Sequence, residues 1–323
     1  MSETLSTTAA RPIRRGRALA WLTLVAGVYL LGLWYIDRDK QILTRLQALA
    51  LPLCGCVALV LASYGFRHLR WHMLLRAQGQ PTGWRAGMLA YLAGFAFTAS
   101  PGKAGELLRI RYFSRLGVPA QVTLTTFIYE RALDLLVITA LSLGAAHLIP
   151  LFGVLATVVL CLVLALCMVA CIATLQRAAI ALVAWLPGRP LRRLARFLVD
   201  GTTSLRPLLR PGLTAASIAC GLAAWLLTSA AFAWLCHALG IVLPWQYALA
   251  IYPLAMLIGA LSFVPGGVGT TEAAIVLMLA ASGADLDTAL AAAIGIRLAS
   301  LWLAVAVGMV AAVVLEARKP AVT

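Results

Sequence analysis

Charged side chains are scarce in this sequence. They make up 11% of its 323 residues, whereas 63% of the residues are hydrophobic. This composition excludes an ordinary soluble domain, in which about a quarter of the residues are charged. The apolar runs are long enough for membrane-spanning helices and lack the alternating ten-residue pattern of a membrane barrel. The sequence therefore predicts an all-α polytopic membrane protein.

Catalytic motifs are also absent from the sequence. It contains no Gly-x-Ser-x-Gly, no His-Glu-x-x-His and no phosphate-binding loop ending in Gly-Lys-Ser/Thr. The seven cysteines lie in or at the ends of apolar runs, where a thiol is a small apolar group. We expect no enzymatic activity, no cofactor, no disulfide framework and no metal site.

Acidic residues are fewer than basic ones, at 11 against 26, which gives a net charge of +15. In a membrane protein, basic residues concentrate in cytoplasmic loops and contact anionic headgroups, so we expect an anionic membrane surface as the partner rather than nucleic acid. The segment "LPGRPLRRLARFLVDGTTSLRP" predicts an amphipathic helix at this surface. We expect "RHLRWH" to place His68, Trp71 and His72 at the cytoplasmic interface.

Six apolar runs are suited to full crossings: 18–36, 48–66, about 120–149, 151–173, 213–236 and 288–315. We assign residues 1–17 to a disordered cytoplasmic tail, 18–316 to one transmembrane domain and 317–323 to a second cytoplasmic tail. The first run has no small-residue cleavage site after it, so we interpret it as a retained span.

Two further runs end at a Pro-Gly break. A full crossing by residues 86–100 would place the arginine-rich loop 176–212 outside, against the positive-inside rule. The sequence therefore predicts re-entrant helical hairpins at about 86–116, entering from the cytoplasm, and at about 246–284, entering from the other side. Both termini are then cytoplasmic, in a bacterial inner membrane.

The two predicted hairpins resemble each other. Each has a Pro-Gly break, then a glutamate, and later a glycine fourteen residues before an arginine, at Gly117 and Arg131 and at Gly283 and Arg297. Opposite orientations make this an inverted repeat, an arrangement that places transporter substrates at the midplane between broken helices. Helices predicted to begin near Gly105 and Thr270 would direct their N–H groups toward an anion there.

Ionisable side chains fall within the predicted membrane segments, where each costs about 3 kcal/mol at a helix centre and so needs a partner or a function. Arg131 and Asp134 are one turn apart, and Glu272 is the expected partner of Arg297. These side chains form either static ion pairs or an anion site. Four acids against three bases leave one surplus carboxylate, which favours a coupling proton on Glu130, Asp134 or Glu272. The ionisable residues counted are Lys103, Glu106, Glu130, Arg131, Asp134, Glu272 and Arg297.

Four segments, "RHLRWHMLLRAQG", "SPGKAGELLRIRYF", "YERALDLL" and "LSFVPGGVGTTEAAIVLMLAASG", are similar to the lysylphosphatidylglycerol-synthase transmembrane family, also called flippase-like. The resemblance covers nearly all of the chain after residue 15 and implies translocation of a lipid between leaflets. The motif positions that it carries over are Pro101, Gly102, Lys103, Gly105, Glu106, Arg109, Glu130, Arg131, Asp134, Pro265, Gly266, Gly267, Gly269 and Glu272.

Together, these observations predict a flippase or transporter for a phospholipid or a polyprenyl-phosphate-type lipid. The alternatives are a proton-coupled small-anion transporter, a membrane-embedded lipid transferase, and an accessory protein of envelope lipid synthesis. The candidate substrate-binding residues are Gly102, Lys103, Gly105, Glu106, Arg109, Arg131, Gly266, Gly267, Gly269, Thr270, Thr271 and Arg297.

Overall fold

The computed structural model describes residues 49–148, 151–185 and 188–317, together with Gly27, Leu31 and Trp34. The α-helices are α1 (Ala50–Ala77), α2 (Trp84–Ala93), α3 (Arg109–Ser114), α4 (Ala120–Ser142), α5 (Phe152–Cys171), α6 (Ala173–Ala184), α7 (Arg189–Thr203), α8 (Pro211–Ala238), α9 (Trp245–Leu261), α10 (Thr270–Ala281), α11 (Leu286–Arg297) and α12 (Leu303–Ala317). Short 3₁₀ segments are Gly94–Phe97, Pro101–Leu108, Leu143–Leu148, Arg206–Leu208 and Pro265–Gly267. No strand occurs in the described ranges, so the predicted all-α class is confirmed.

Five helical stretches are long and apolar enough to cross a membrane: Ala50–Ala77, Ala120–Leu148, Phe152–Cys171, Pro211–Ala238 and Leu286–Ala317. They coincide with five of the six predicted crossings, and the predicted crossing at 18–36 lies outside the described residues apart from three isolated positions. On α5, the leucines at 160, 162 and 164 are exposed, as expected for a helix surrounded by lipid. The chain is therefore a multi-pass membrane protein.

The segments predicted as hairpins consist of shorter helices with a break between them. Helix α2 contacts α3, and the 3₁₀ segments between these two helices contact each other. In the second segment, α9 contacts α10 across the Pro265–Gly267 turn. The helix after the first break begins at Pro101 as a 3₁₀ helix, earlier than predicted, because proline is suited to a first helical position. The helix after the second break begins at Thr270, as predicted.

The two Pro-Gly breaks contact each other. The N–H group of Gly266 lies 3.4 Å from the carbonyl oxygen of Ser100. Gly266 and Gly267 have φ angles of 62° and 65°, and a Cβ on Gly266 would lie 3.2 Å from the Cα of Ala99. Only glycine combines this backbone conformation with so close an approach. The two breaks, which have similar sequences, therefore lie directly against each other.

Tight packing also holds the first break against the last helix. A Cβ on Gly308 of α12 would collide with the backbone of Phe95 and Ala96. Between α11 and α12, a π-helical turn spans Leu298–Trp302. There the Tyr252 hydroxyl donates to Ser300 Oγ at 3.0 Å, which fixes α9 to this turn. Such turns often accompany functional sites, and this one directly follows Arg297.

The arginine-rich segment forms α7, in agreement with the predicted helix. It contacts α4, where the Thr125 hydroxyl donates to the carbonyl of Gly201 at 3.1 Å. A Cβ on Gly201 would come within 3.1 Å of Leu124 and Ile128, so this face of α7 lies directly against α4. Arg192 and Arg196 are exposed on the helix surface.

Candidate functional site

Seven ionisable side chains from α1, α3, α4 and the Pro101–Leu108 segment form one buried network. We call it the ion cluster; its members are Arg67, Arg70, Glu106, Arg109, Glu130, Arg131 and Asp134. A buried charge is tolerated only when it is paired and hydrogen-bonded. Every member of the ion cluster is paired with an opposite charge, at an N–O separation of 3.5 Å or less.

Arg70 is the central cation of the ion cluster. Its side chain is fully buried, and its Nη2 atom lies 2.9 Å from Glu130 Oε1 and 2.8 Å from Asp134 Oδ1. Glu130 and Asp134 are four residues apart, so both carboxylates lie on the same face of α4. Gly221 of α8 provides the space for this guanidinium, since a Cβ there would lie 2.7 Å from Arg70 Nη1. Arg70 therefore joins α1 to α4.

Arg109 is held by aromatic rings as well as by carboxylates. Its guanidinium carbon lies 3.9 Å from the ring centroid of Tyr91 and 5.0 Å from that of Trp71, in cation–π geometry. Its nitrogens lie 3.2 Å from both Glu106 and Glu130. Gly94 leaves the space for its aliphatic stem. Through these contacts Arg109 links α2 and α3 to α4.

Arg67 and Arg131 complete the ion cluster on its more open side. Arg131 contacts Asp134 at 3.0 Å and Glu130 at 3.4 Å, which confirms the predicted pairing of Arg131 with Asp134. Arg67 contacts Asp134 at 3.5 Å and stacks on the ring of Trp225 at 4.8 Å. The side chain of Arg131 is 20% exposed and that of Arg67 is 11% exposed, against 0% for Arg70, so Arg67 and Arg131 remain accessible to a ligand.

Glu272 and Arg297 form a second pair at the other break, as predicted. Arg297 Nε donates to Glu272 Oε1 at 2.8 Å, and its Nη2 donates to the carbonyl of Gly266. The second carboxylate oxygen of Glu272 accepts the N–H of Gly269 at 2.7 Å. The positive end of α10 is thus occupied by the protein's own carboxylate.

The charge balance differs from the sequence-based count. That count gave a surplus carboxylate because it omitted Arg67, Arg70 and Arg109. In the described part of the chain, the ion cluster holds four arginines and three carboxylates, and the Glu272–Arg297 pair is neutral. The expectation of a surplus carboxylate was therefore wrong for these side chains, which carry one excess positive charge.

The ion cluster and the second pair meet at a single cavity. Its empty volume is about 630 Å³, counting the space at its open mouth. Arg67, Arg131 and Arg297 line it, together with Glu106 and the backbone at Gly266. Tyr64, Phe95, Trp225 and Tyr252 add aromatic walls. A concave site with apolar walls and a few convergent charges is typical of a small-ligand site, and here the convergent charges are mainly positive.

Gly105, Thr270 and Thr271 lie at the breaks, and none of these three residues lines the cavity. The N–H of Gly105 donates to Ser100 Oγ at 2.6 Å, and the Thr270 hydroxyl donates to the carbonyl of Gly267 at 3.1 Å. Thr271 is buried against Gly259 and Gly267. Gly102 lies in the Pro101–Leu108 helix, while the side chain of Lys103 lies outside the described part of the structure.

The sequence carries a family relationship that agrees with this architecture. Residues 18–308 match the lysylphosphatidylglycerol synthase transmembrane region. The chain belongs to this family. A comparison with curated proteins gives no match. Membership relates this multi-pass protein to lipid synthesis or flipping, and it confirms the resemblance drawn from the four motifs.

Two arginines of the ion cluster, Arg67 and Arg70, were not recognised from sequence. Of the three residues expected at the interface, His68 and Trp71 are fully buried and His72 is partly exposed. A signal was present, since both arginines share a helical face with buried residues of α1. This face repeats every three or four positions, at Val60, Ser63, Tyr64, Arg67, Arg70, Trp71 and Leu74.

Proposed function

We propose that this protein moves a lipid with an anionic or phosphate-bearing headgroup between the leaflets of a membrane. The headgroup occupies the arginine-lined cavity while the acyl chains stay in the bilayer. The observation that carries this proposal is the convergence of Arg67, Arg131 and Arg297 on one cavity at the contact between the two breaks. A phospholipid and a polyprenyl-phosphate lipid both provide the phosphate that such guanidinium groups bind.

The charge balance supports an anion as the ligand. An uncompensated positive charge among membrane helices is costly, and an anion in the cavity offsets the excess charge of the ion cluster. Each carboxylate of the cluster is already bound to an arginine, so none of the three is a free general base. Transport therefore accounts for the site better than catalysis by a transferase.

The helix architecture supports transport in a second way. Irregular backbone at membrane depth is tolerated where it is buried in protein or lines a cavity, and the second break does both at Gly266. We propose that the two broken helix pairs are re-entrant and oppositely oriented, so that they form an inverted repeat around the cavity.

The decisive experiment is lipid translocation by the purified protein in proteoliposomes. We expect the protein to accelerate the exchange of acyl-labelled phosphatidylglycerol between leaflets. Arg131→Gln is expected to slow this exchange at least tenfold, since a charge-assisted hydrogen bond is worth about 1.5–3 kcal/mol. Asp134 keeps Arg70 as a partner at 2.8 Å, so the variant retains its fold.

The matched control is Arg115→Gln, which removes an exposed arginine bound to Glu316 away from the cavity. It is expected to translocate at the wild-type rate. Uptake of inorganic phosphate is measured in the same vesicles. Phosphate uptake without lipid exchange would replace the lipid proposal with a small-anion transporter, and equal rates for both arginine variants would exclude the cavity as the route.

Sidedness is tested by single cysteines in a cysteine-free background. We propose cytoplasmic termini in a bacterial inner membrane, with α7 on the anionic cytoplasmic surface. Cysteines at exposed positions 115 and 196 are expected to react with an impermeant maleimide only from the cytoplasm, and one at position 285 only from the opposite side. Reaction at position 115 from the outer side would contradict the re-entrant arrangement.

A further inference from the structure

Two side chains that line the cavity carry hydrogen-bond donors that no group in the described part of the protein accepts. The Tyr64 hydroxyl and the Trp225 indole N–H have no hydrogen-bond partner in the described part of the chain. Both side chains line the cavity although they are only 7% and 4% exposed. Buried polar groups in proteins nearly always have a partner, so two unused donors beside one cavity indicate a ligand that accepts hydrogen bonds.

Arg67 lies close to both of these side chains on the same side of the cavity. It lies one helical turn after Tyr64 on α1, and its guanidinium lies 4.8 Å from the ring centroid of Trp225 on α8. We call Tyr64, Arg67 and Trp225 the donor wall. Its groups offer a positive charge and neutral donors, a combination that suits the two non-bridging oxygens of a phosphate.

Carboxylates, which would bind a cationic ligand, are few at the cavity. Among the described residues that line it, the only carboxylate is Glu106. Its oxygens accept the Thr98 hydroxyl at 2.8 Å and contact Arg109 at 3.2 Å. A ligand ammonium would therefore lose its water without gaining an uncommitted carboxylate, while lying close to three arginines.

We propose that the donor wall selects a headgroup that is a singly charged phosphodiester without an amine. One negative charge balances the excess charge of the ion cluster, whereas a phosphomonoester with two charges exceeds it. Choline and ethanolamine headgroups bring an ammonium, and the lysyl group in the family's name brings two. This inference rests on the proposed function and narrows its substrate class to lipids such as phosphatidylglycerol.

Binding is tested with the full-length protein in detergent, titrated with dioleoyl lipids and followed by the shift in the unfolding midpoint. We expect tighter binding of phosphatidylglycerol than of phosphatidic acid or phosphatidylcholine. Tyr64→Phe and Trp225→Phe are each expected to weaken phosphatidylglycerol binding about tenfold, as for one lost hydrogen bond to a charged group. Without lipid, Tyr64→Phe should unfold no earlier than the wild type, because the hydroxyl has no protein partner.

Two variants act as matched controls. Tyr129→Phe removes a hydroxyl bonded to Thr214 at 2.8 Å, and Trp234→Phe changes an exposed tryptophan. Both are expected to leave lipid affinity unchanged, although the first should lower the unfolding midpoint. A purely structural role of Tyr64 would instead lower the midpoint and leave the affinity unchanged, which would overturn the proposal.

The remaining outcomes separate this inference from the proposed function. If the wild type exchanges lipids but the donor-wall variants bind phosphatidylglycerol as tightly as it does, the donor wall is excluded and the flippase proposal stands. Tighter binding of phosphatidic acid or phosphatidylcholine would overturn the phosphodiester assignment. Equal affinity for glycerophosphoglycerol, which lacks acyl chains, would assign the site to a soluble ligand. Absence of any lipid exchange by the wild type would remove the proposed function itself.

Discussion

Replacing Arg70 by methionine is expected to lower the free energy of unfolding by about 3 kcal/mol. Arg70 bonds Glu130 and Asp134 at 2.9 and 2.8 Å from a fully buried position, and methionine supplies no donor to either carboxylate. The estimate is at the lower end for a broken buried ion pair, since Arg109 and Arg131 still contact these carboxylates. The measurement is reversible unfolding in mixed detergent micelles.

The control for this prediction lies one turn away on the same helix. Arg67→Met removes a 3.5 Å contact of Asp134, whose stronger contacts with Arg70 and Arg131 remain. We expect this variant to lose less than about 1 kcal/mol of stability, as for a weak ion pair, yet to slow lipid exchange at least tenfold. Equal loss of stability in both variants would show that the two arginines do not differ in role.

Replacing Arg297 by lysine is expected to abolish most lipid exchange while the protein still inserts in the membrane. The guanidinium donates from Nε to Glu272 and from Nη2 to the Gly266 carbonyl, and so connects α11 to the second break and to α10, which follows it. A lysine ammonium keeps the charge but lacks the planar fork that reaches both acceptors. We expect exchange to fall at least tenfold and the unfolding free energy by about 2 kcal/mol, as for one lost charged hydrogen bond.

A conservative exchange at the edge of the protein provides the comparison. Arg111→Lys alters an arginine that contacts Glu316 at 3.0 Å with a 39% exposed side chain, and it is expected to behave as the wild type. Wild-type exchange by the Arg297→Lys variant would show that charge alone is sufficient at this position. Glu272 would then serve only to cap α10.

Several features of the site could be predicted from local sequence. Arg131 and Asp134 are one helical turn apart, so their contact follows from helix geometry. The pairing of Glu272 with Arg297 follows from the cost of an unpaired charge at membrane depth, since these are the two charged residues expected at that depth around the second break. The family motifs and the Pro-Gly breaks also pointed to these segments.

Contacts between distant helices could not be predicted from local sequence. Arg70 lies 60 residues before Glu130 along the chain, and their contact exists because α1 and α4 pack together. The same reason explains the error in the charge count, since arginines near the end of an apolar run resemble interfacial anchors until a neighbouring helix covers them. Tyr64 and Trp225 gave no local signal, because their unused donors become significant only when α1 and α8 form one cavity wall.

The sequence by itself determined the all-α membrane class, the positions of five long apolar helices and the location of both breaks. These properties depend on hydrophobic length and on Pro-Gly backbone preferences, which act over short segments. Only the tertiary structure decided which charges meet, because ion pairs between helices depend on packing between distant segments. The contact between Gly266 and Ser100 brings the two breaks together, and Gly266 also lines the cavity to which the three arginines belong.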